Sequence, residues 1–464
     1  MRTLGLLLAC AASLAAQTSP ETAAGIRLFE AWLTEQMDYR GLPGVAVGVV
    51  HDQRLVWAKG FGLADLDKKT PVTEKTLFRM ASNTKMFTAI AVLQLRDEGK
   101  LRLDDPVSKH LPWFRVKPSS EDDGPITVEH LITHGSGLPR EAASPYWTSF
   151  KFPTTAEIRA TVPAQAAAYG PDTRWKYSNL AVSLAGMVVE AVSHIPYEEY
   201  LRTRILQPLG MAATSLDKDV PGVAVGYGRR MPDRSRQPMA FMDTKGLGPA
   251  AGLTSNVEDM ARFVSAQFRR GKASGILAFS TLREMHRVRM LENDWASGTG
   301  LGFQVNRAGG KVTVGHGGSL AGYKTQTSFR PAEKVGVIVL TNGDDSLPAK
   351  IAARAMEWIG EPLAKSAPEP KPRWDESWRR YAGLYRSIWG DLQVVDLVDS
   401  LALISPQAED PKAGMQRLAP AAGGGFRLEG PTGGAAVGES VSFDERSGQV
   451  VSMKIGQSIS GRVR

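Results

Sequence analysis

Residues 78–99 read FRMASNTKMFTAIAVLQLRDEG and have the pattern of an amphipathic helix that begins beside a serine and a lysine. Apolar side chains recur through it at helical spacing: Met86, Phe87, Ile90, Val92, Leu93 and Leu95. We expect the helix to begin with Ser82 on its N-cap side and to end at Gly99. Ser82 and Lys85 then project from one face, one turn apart, so that the lysine amine can reach the serine hydroxyl.

A serine with a basic amine beside it is suited to acyl transfer, because a serine hydroxyl needs a neighbouring base to become nucleophilic. The partial positive charge of the helix N-terminus opposes protonation of Lys85 and favours the neutral amine. The spacing alone is weak evidence, since an ordinary N-cap serine followed by a solvated lysine has the same pattern. A second Ser-x-x-Lys begins at Ser215, but aspartates and a proline follow it, with no amphipathic run.

Two further motifs strengthen the interpretation of Ser82. Tyr177-Ser178-Asn179 is the single Tyr-x-Asn of the chain, and His316-Gly317-Gly318 is its single His-x-Gly. The flanking segments also match a known pattern: LRLDDPV at 101–107, ITVEHLITHGSGL at 126–138, PLGM at 208–211 and GLTS at 252–255. From about residue 44 to 342 the chain resembles the β-lactamase-related serine hydrolases, which include class C β-lactamases, D-alanyl-D-alanine carboxypeptidases and esterases of the same fold.

The resemblance implies a role for each motif residue. Ser82 corresponds to the acylated nucleophile, Lys85 to the proton acceptor beside it, and Tyr177 to the group that passes protons to the leaving group and the deacylating water. Asn179 corresponds to the residue that orients the lysine and the substrate amide. The backbone N–H groups of Ser82 and Ser319 correspond to the oxyanion hole, where preorganised donors stabilise the transition state by several kcal/mol. Gly317 and Gly318 let the strand approach the substrate closely.

His316 departs from the most familiar form of the third motif. Lys-Thr-Gly is usual there in β-lactamases, and its lysine is a cation that recognises the substrate carboxylate. Histidine is mostly neutral near pH 7. The substitution is similar to that in some D-amino-acid peptidases and esterases of this fold, so it argues against strong β-lactam hydrolysis.

Other chemistries fit the sequence less well. His130 and His134 have the spacing of a metalloprotease helix, yet Leu131 occupies the position of its glutamate, so no metal site is expected. GGSLA at 317–321 is close to the nucleophile elbow of an α/β-hydrolase, but in that fold the His-Gly-Gly loop lies far before the nucleophile. Trp374 and Trp378 are followed by arginines, and we expect them to pack at the edge of the C-terminal domain and to contact no nucleic acid.

The remaining pattern predicts an α+β domain whose sheet gathers both of its ends. The resemblance implies a fold of the serine β-lactamase and penicillin-binding-protein type, an antiparallel sheet flanked by helices, with a helical subdomain. A hairpin is expected at 45–50 and 55–59, a second helix within 177–192, and late strands at 311–314, 323–329 and 335–341. Beyond 363, the segment APEPKP at 367–372 favours a stiff linker. Short strands at 392–398, 401–404, 426–428, 441–443 and 450–455 then predict a small all-β barrel or sandwich. From about Tyr381 this tail resembles the lipocalin-like barrel appended to several of these hydrolases, so a lipocalin-like barrel is expected.

These patterns divide the 464 residues into a signal peptide (1–16), a hydrolase domain (17–363), a linker (364–373) and a β domain (374–464). Met1-Arg2 and the apolar residues to Ala16 predict export to the periplasm or the medium. Leu7-Leu8-Ala9-Cys10 is also similar to a lipobox, so a lipid anchor through Cys10 stays open. Cys10 is the single cysteine, which excludes an internal disulfide and a Cys-based metal cluster. The net charge of +8 is compatible with an anionic cell-envelope substrate.

The sequence therefore predicts an exported serine hydrolase that needs no cofactor or metal and forms an acyl-Ser82 intermediate. Its expected partner is a small-molecule or peptide substrate, in the order D-residue peptides (peptidoglycan-derived ones included), small esters and β-lactams. No transmembrane span is expected. The alternative is a catalytically weak module that binds peptidoglycan or peptides in the same pocket. The oligomeric state stays open.

Overall fold

A computed structural model describes residues 19–216, 220–270, 275–365, 374–421, 423–430 and 434–463. The expected signal peptide, with Cys10, lies outside these residues. The chain divides into two compact units, Met1–Ala367 and Pro368–Arg464. Of the expected linker, residues 366–373 are not described, and residues 364 and 365 belong to the last helix of the first unit.

The α-helices of the described residues all belong to the first unit. They are α1 (Pro20–Arg40), α2 (Thr84–Asp97), α3 (Val107–His110), α4 (Val128–Thr133), α5 (Tyr146–Ser149), α6 (Thr155–Thr161), α7 (Asn179–Ser193), α8 (Tyr197–Leu201), α9 (Gln207–Leu209), α10 (Gly248–Ala251), α11 (Val257–Ala266), α12 (Phe279–Met285), α13 (Pro348–Ala355) and α14 (Glu361–Lys365). Short 3₁₀ turns cover Ala81–Asn83, Val162–Ala164, Lys245–Leu247 and Glu376–Tyr381, and π-helical turns cover Arg202–Leu206 and Met356–Gly360.

The strands of the first unit form a main sheet and two small strand pairs. They are β1 (Gly44–His51), β2 (Arg54–Asp65), β3 (Thr70–Pro71), β4 (Phe78–Arg79), β5 (Gly226–Tyr227), β6 (Pro238–Met239), β7 (Thr254–Ser255), β8 (Met290–Leu291), β9 (Ser297–Thr299), β10 (Gln304–Ala308), β11 (Lys311–Leu320), β12 (Tyr323–Arg330) and β13 (Val335–Thr341). Within the described residues the main sheet is antiparallel, in the order β3-β2-β1-β13-β12-β11-β10-β9-β8. The predicted hairpin and the sheet that joins both ends of the domain are confirmed.

Strands β1 and β13 are apolar on both faces because both faces of the sheet are covered there. Along β1, Val45, Val47 and Val49 pack in one core with α1 and residues of α13 and α14. Ala46 and Val50 belong to the larger core on the opposite face, which contains α2, α7 and α11. Successive strand residues point to opposite faces, so a strand between two cores has a continuous apolar sequence.

The second unit is a closed barrel, as predicted. Its strands are β14 (Gly383–Ser387), β15 (Gly390–Asp396), β16 (Leu401–Ile404), β17 (Gln416–Pro420), β18 (Phe426–Glu429), β19 (Ser440–Arg446), β20 (Gln449–Ile455) and β21 (Ser458–Arg462). The sequence patterns missed β14, β17 and β21. Trp374 and Trp378 pack against the barrel core, and the Trp378 ring meets the Phe426 ring edge-on at 5.0 Å between centroids.

Two predicted boundaries in the first unit differ from the structure. Helix α2 begins at Thr84, and Ser82 lies in the 3₁₀ turn before it. The strand expected at 311–314 is longer in the structure, where β11 spans Lys311–Leu320 and includes the third motif. Pairing with β12 through Leu320 and Tyr323 keeps this glycine-rich stretch extended.

Among the described residues, no single helix is long and apolar enough to cross a membrane. One bent pair, Asn179–Ser193 with Tyr197–Leu209, meets the criteria of length and composition together.

Candidate active site

Ser82 lies in the tight 3₁₀ turn that joins β4 to α2. The preceding residue, Ala81, has φ of 47°, a left-handed conformation that is unfavourable for a residue with a side chain. Neither Ser82 nor Asn83 caps α2 through its side chain. The Ser82 hydroxyl instead contacts two side chains from elsewhere in the site, Lys85 and Tyr177. Ser82 thus lies on the N-cap side of the helix and close to Lys85, as predicted, and the alternative of an ordinary N-cap serine with a solvated lysine does not fit the structure.

Lys85 is buried on the first turn of α2, with three oxygen atoms around its amine. Its Nζ lies 3.0 Å from Ser82 Oγ, 2.8 Å from Asn179 Oδ1 and 2.8 Å from the carbonyl oxygen of Ala250 in α10. Burial lowers the pKa of Lys85, and the nearby Tyr177 and Glu141 oppose that shift. The environment therefore favours the neutral amine more than water does.

The oxygen atoms around Lys85 Nζ determine where the protons of a neutral Lys85 amine lie. An amide oxygen and a backbone carbonyl can only accept, so the two N–H groups of a neutral Lys85 donate to Asn179 and Ala250. The lone pair of the amine then faces Ser82, whose hydroxyl can donate to it. Tyr177 donates its hydroxyl to Ser82 Oγ at 2.8 Å. In this arrangement Lys85 is placed to take the serine proton, as a general base must be.

Tyr177 is held by aromatic and cationic neighbours. Its ring centroid lies 4.4 Å from the centroid of the His134 ring. The Arg140 guanidinium lies 5.3 Å from the Tyr177 ring centroid, and Lys85 Nζ lies 4.9 Å from it. These contacts fix the direction of the phenol, which points its hydroxyl at Ser82.

Asn179 is the first residue of α7, and Ser178 caps that helix. Ser178 Oγ accepts from the N–H of Ala181 at 2.9 Å and donates to the carbonyl of Pro139 at 2.7 Å. This cap fixes the start of α7, so Asn179 projects toward Lys85. The Asn179 side chain bridges Lys85 on one side and the carboxylate of Glu141 on the other.

The third motif forms the last part of β11 and packs against the serine turn. A Cβ atom at Gly318 would lie 2.2 Å from Thr325 Oγ1 and 2.4 Å from the carbonyl oxygen of Met80. Only glycine leaves room for so close an approach. Gly317 is less restricted, with Gln326 Oε1 at 3.1 Å as the nearest atom to such a Cβ. Ser319 is the exposed residue that follows.

His316 is buried on β11 with its ring engaged by its own strand. Its Nδ1 donates to the carbonyl oxygen of Gly317 at 2.6 Å. Burial, aided by the nearby charge of Lys85, lowers the pKa of His316 to about 3. His316 is thus neutral at pH 7 and supplies no cation to the site, in contrast to the lysine of the familiar motif.

A cavity of about 820 Å³ brings the three motifs together. Ser82, Tyr177, Asn179 and the whole stretch from His316 to Ser319 line it. One part of the remaining wall is apolar and aromatic, with Trp147, Phe152, Trp175, Leu247 and Leu347, and another part is polar, with Arg140, Gln304, Gln326 and Lys350. All eight residues that the sequence singled out for the site therefore lie in or directly beside one cavity of the first unit.

The sequence did not identify Glu141 and Tyr146. Both Glu141 oxygens accept from Asn179 Nδ2, at 2.9 and 3.1 Å, and the carboxylate also accepts from the Tyr146 hydroxyl and from Arg140. Glu141 follows the matched segment 126–138 by three residues, and no spacing rule pairs it with an asparagine 38 residues further on.

The two histidines with metalloprotease spacing make protein contacts. His130 Nδ1 accepts from the Thr127 N–H, and its Nε2 lies 2.8 Å from Asp172 Oδ2. His134 Nδ1 accepts from the N–H of Ser178. Within the part of the chain that the structure describes, no group of three or more metal-ligating side chains is found. The antiparallel sheet also contradicts the α/β-hydrolase alternative.

Comparison with solved structures supports the fold. The octameric penicillin-binding protein homologue from Pyrococcus abyssi is 26% identical, with a TM-score of 0.65, and the match covers 94% of this chain and 99% of that one. A D-stereospecific amidohydrolase from Streptomyces sp. is 24% identical, with a TM-score of 0.60, over 69% of this chain and 96% of that chain.

Comparison with known sequences identifies the family. Protein flp of Staphylococcus aureus (strain MRSA252) is 26% identical over 306 residues, which is 65% of this chain and 60% of flp. The match thus spans less than two thirds of that relative. The profile of the family described as Beta-lactamase matches residues 29–358. The chain belongs to the Beta-lactamase family.

Proposed function

We propose that this chain is an exported serine hydrolase that acts on amide or ester carbonyls through an acyl-Ser82 intermediate. The observation that carries the proposal is the position of Ser82 Oγ, which lies within 3.0 Å of both the Lys85 amine and the Tyr177 hydroxyl at the wall of the cavity. Export rests on the apolar N-terminus, with lipid attachment at Cys10 as the alternative.

In the proposed acylation, Ser82 Oγ forms a bond to the substrate carbonyl carbon and its proton passes to Lys85. The carbonyl oxygen becomes an oxyanion, for which the N–H groups of Ser82 and Ser319 are the proposed donors. The proton then moves from Lys85 through Tyr177 to the leaving amine or alkoxide as the scissile bond breaks. Water attacks the acyl carbon in the second half, and Ser82 recovers its proton as the acid leaves.

We place D-residue peptides and small esters ahead of β-lactams as the proposed substrates. His316 does not replace the lysine that recognises the carboxylate of a β-lactam, because its pKa is lowered to about 3, and the cations that line the cavity are instead Arg140 and Lys350. The aromatic wall of the cavity suits an apolar acyl group. The D-stereospecific amidohydrolase that shares the fold further supports activity toward amides of D-residues.

The experiment compares the wild-type chain with Ser82→Ala on p-nitrophenyl butyrate, a panel of D-alanyl peptides and a fluorescent penicillin. Turnover of the ester or a peptide by the wild type, absent in Ser82→Ala, is expected. The alternative, a binding module with little catalysis, predicts that both proteins bind the peptides and that neither turns over any substrate.

A further inference from the structure

Glu141 is a carboxylate in direct contact with the proposed machinery, and no motif includes it. Its side chain is 21% exposed. One carboxylate oxygen accepts from Arg140 Nε at 3.0 Å and from Asn179 Nδ2 at 2.9 Å. The other accepts from the Tyr146 hydroxyl and from Asn179 Nδ2 at 3.1 Å. The carboxylate is thus held from three directions.

The contact with Glu141 determines which way the Asn179 amide faces. A carboxylate can only accept hydrogen bonds, so the NH₂ group of Asn179 must face Glu141 and its oxygen must face Lys85. The flipped amide would place its oxygen against the carboxylate, which is unfavourable, and its NH₂ against the Lys85 amine, where it could pair only with the lone pair that accepts the Ser82 proton. Without Glu141, the amide keeps only the preference imposed by Lys85.

Tyr146 connects the same carboxylate to the cavity wall. Tyr146 lies on α5 beside Trp147, and its ring centroid is 4.9 Å from that of Phe152. Trp147 and Phe152 both line the cavity and meet edge-on at 5.3 Å between centroids. A continuous series of contacts therefore runs from the aromatic wall through Tyr146, Glu141 and Asn179 to Lys85.

We propose that Glu141 is a positioning residue that orients Asn179 toward Lys85 and ties this pair to the aromatic wall of the cavity. The inference rests on the proposed function and goes beyond it by assigning a role to a residue outside the three motifs. Glu141 touches neither the serine nor, in this account, the substrate, so it acts through Asn179.

The charge of Glu141 gives the proposal a specific pH signature. Several titratable or charged groups face the Lys85 amine: Tyr177, Glu141, Arg140, His134 and His316. Burial lowers the pKa of both histidines, so they stay neutral near pH 7. Glu141 raises the pKa of Lys85, against the larger effect of burial. Loss of its charge therefore lowers the pKa of Lys85 further.

The test measures kcat/KM for p-nitrophenyl butyrate from acid to alkaline pH in three variants of the full chain. Glu141→Ala loses both the group that orients the Asn179 amide and the negative charge. We therefore expect the plateau of kcat/KM to fall by about 10²-fold and the acidic limb of the pH profile to move to lower pH. Glu141→Gln loses the charge but can still accept from Asn179. The acidic limb of its pH profile should move to lower pH by the same amount, while its kcat/KM on the plateau should fall much less. Glu121→Gln, an exposed change distant in sequence, should match the wild type.

Two results would overturn the positioning role. An acidic limb at the wild-type pH in both Glu141 variants would show that the carboxylate does not influence Lys85. Equal plateau losses in Glu141→Ala and Glu141→Gln would show that hydrogen bonding to Asn179 has no part. The proposed function fails separately, if the wild type has no turnover that Ser82→Ala removes.

Discussion

His286 is a buried imidazole at a distance from the proposed chemistry, and it makes the stability of the fold depend on pH. It packs edge-on against the Phe303 and Phe329 rings, and its Nε2 lies 3.2 Å from Gln267 Oε1. Burial lowers the pKa of His286 to about 3, against an ordinary value of 6.5. Between these two values the unfolded chain binds a proton that the folded chain does not.

Replacement of His286 should therefore reduce the acid sensitivity of the fold. In the wild type, this one histidine makes the free energy of unfolding fall by about 1.4 kcal/mol for each pH unit below 6.5, until pH 3 is approached. His286→Gln lowers stability at pH 7 but removes that slope. Urea unfolding of both proteins at several pH values between 6.5 and 4 measures this slope. An equal fall of the free energy of unfolding with pH in the two proteins would refute the assignment.

At the scale of elements, one threonine of the sheet forms hydrogen bonds with the serine turn, the 3₁₀ turn Ala81–Asn83 and the Met80 that precedes it. Thr325 on β12 accepts from Asn83 Nδ2 at 2.8 Å and donates to the carbonyl of Met80 at 3.0 Å. Both partners flank Ser82, and both are buried. These side-chain hydrogen bonds, together with the covalent backbone, thus position the serine turn relative to β11 and β12.

Thr325→Val keeps the shape of the side chain and removes both hydrogen bonds. It deprives the buried Asn83 amide of its acceptor on β12 and removes one of the donors to the buried Met80 carbonyl, so we expect the free energy of unfolding to fall by about 1–3 kcal/mol. Chemical denaturation measures the loss. Ser319→Ala, a change at an exposed serine, is the control. Equal stability of Thr325→Val and the wild type would show that the two hydrogen bonds of Thr325 do not stabilise the fold.

The elements that sequence could predict are those with strong local periodicity. Helix α2, the β1–β2 hairpin and β13 each have an apolar pattern of their own, and each was found. The C-terminal half of β11 stays extended because it pairs with β12, and Gly318 is needed because its backbone approaches the serine turn closely. Local strand preference contains neither contact, so it predicted a strand that was too short. Glu141 was missed because its contacts join residues far apart in the chain.

At the scale of the whole molecule, the proposed chemistry belongs to one unit. The first unit, Met1–Ala367, has its own cores and contains every residue that lines the cavity around Ser82. The barrel has a separate core of its own. Two units with separate cores are expected to fold independently.

A chain that ends after Lys365 should therefore keep its Ser82 chemistry. We expect it to unfold cooperatively and to react with p-nitrophenyl butyrate at the wild-type rate, since no side chain of the cavity wall is removed. Stopped-flow release of nitrophenol makes the comparison. A folded truncated protein without a Ser82-dependent burst would mean that the barrel contributes to the reaction.

The central claim is acylation of Ser82 with Lys85 as its base, and quenched-flow mass spectrometry tests it directly. After acid quench of a reaction with p-nitrophenyl butyrate, trypsin should release the Ser82 peptide with one added butyryl group, as residues 80–85, or as residues 80–96 in Lys85→Ala, which lacks the cleavage site after residue 85. We expect this adduct to be absent in Ser82→Ala and to form about 10²–10⁴-fold more slowly in Lys85→Ala. No adduct on the wild type, or formation at an undiminished rate in Lys85→Ala, would contradict the account.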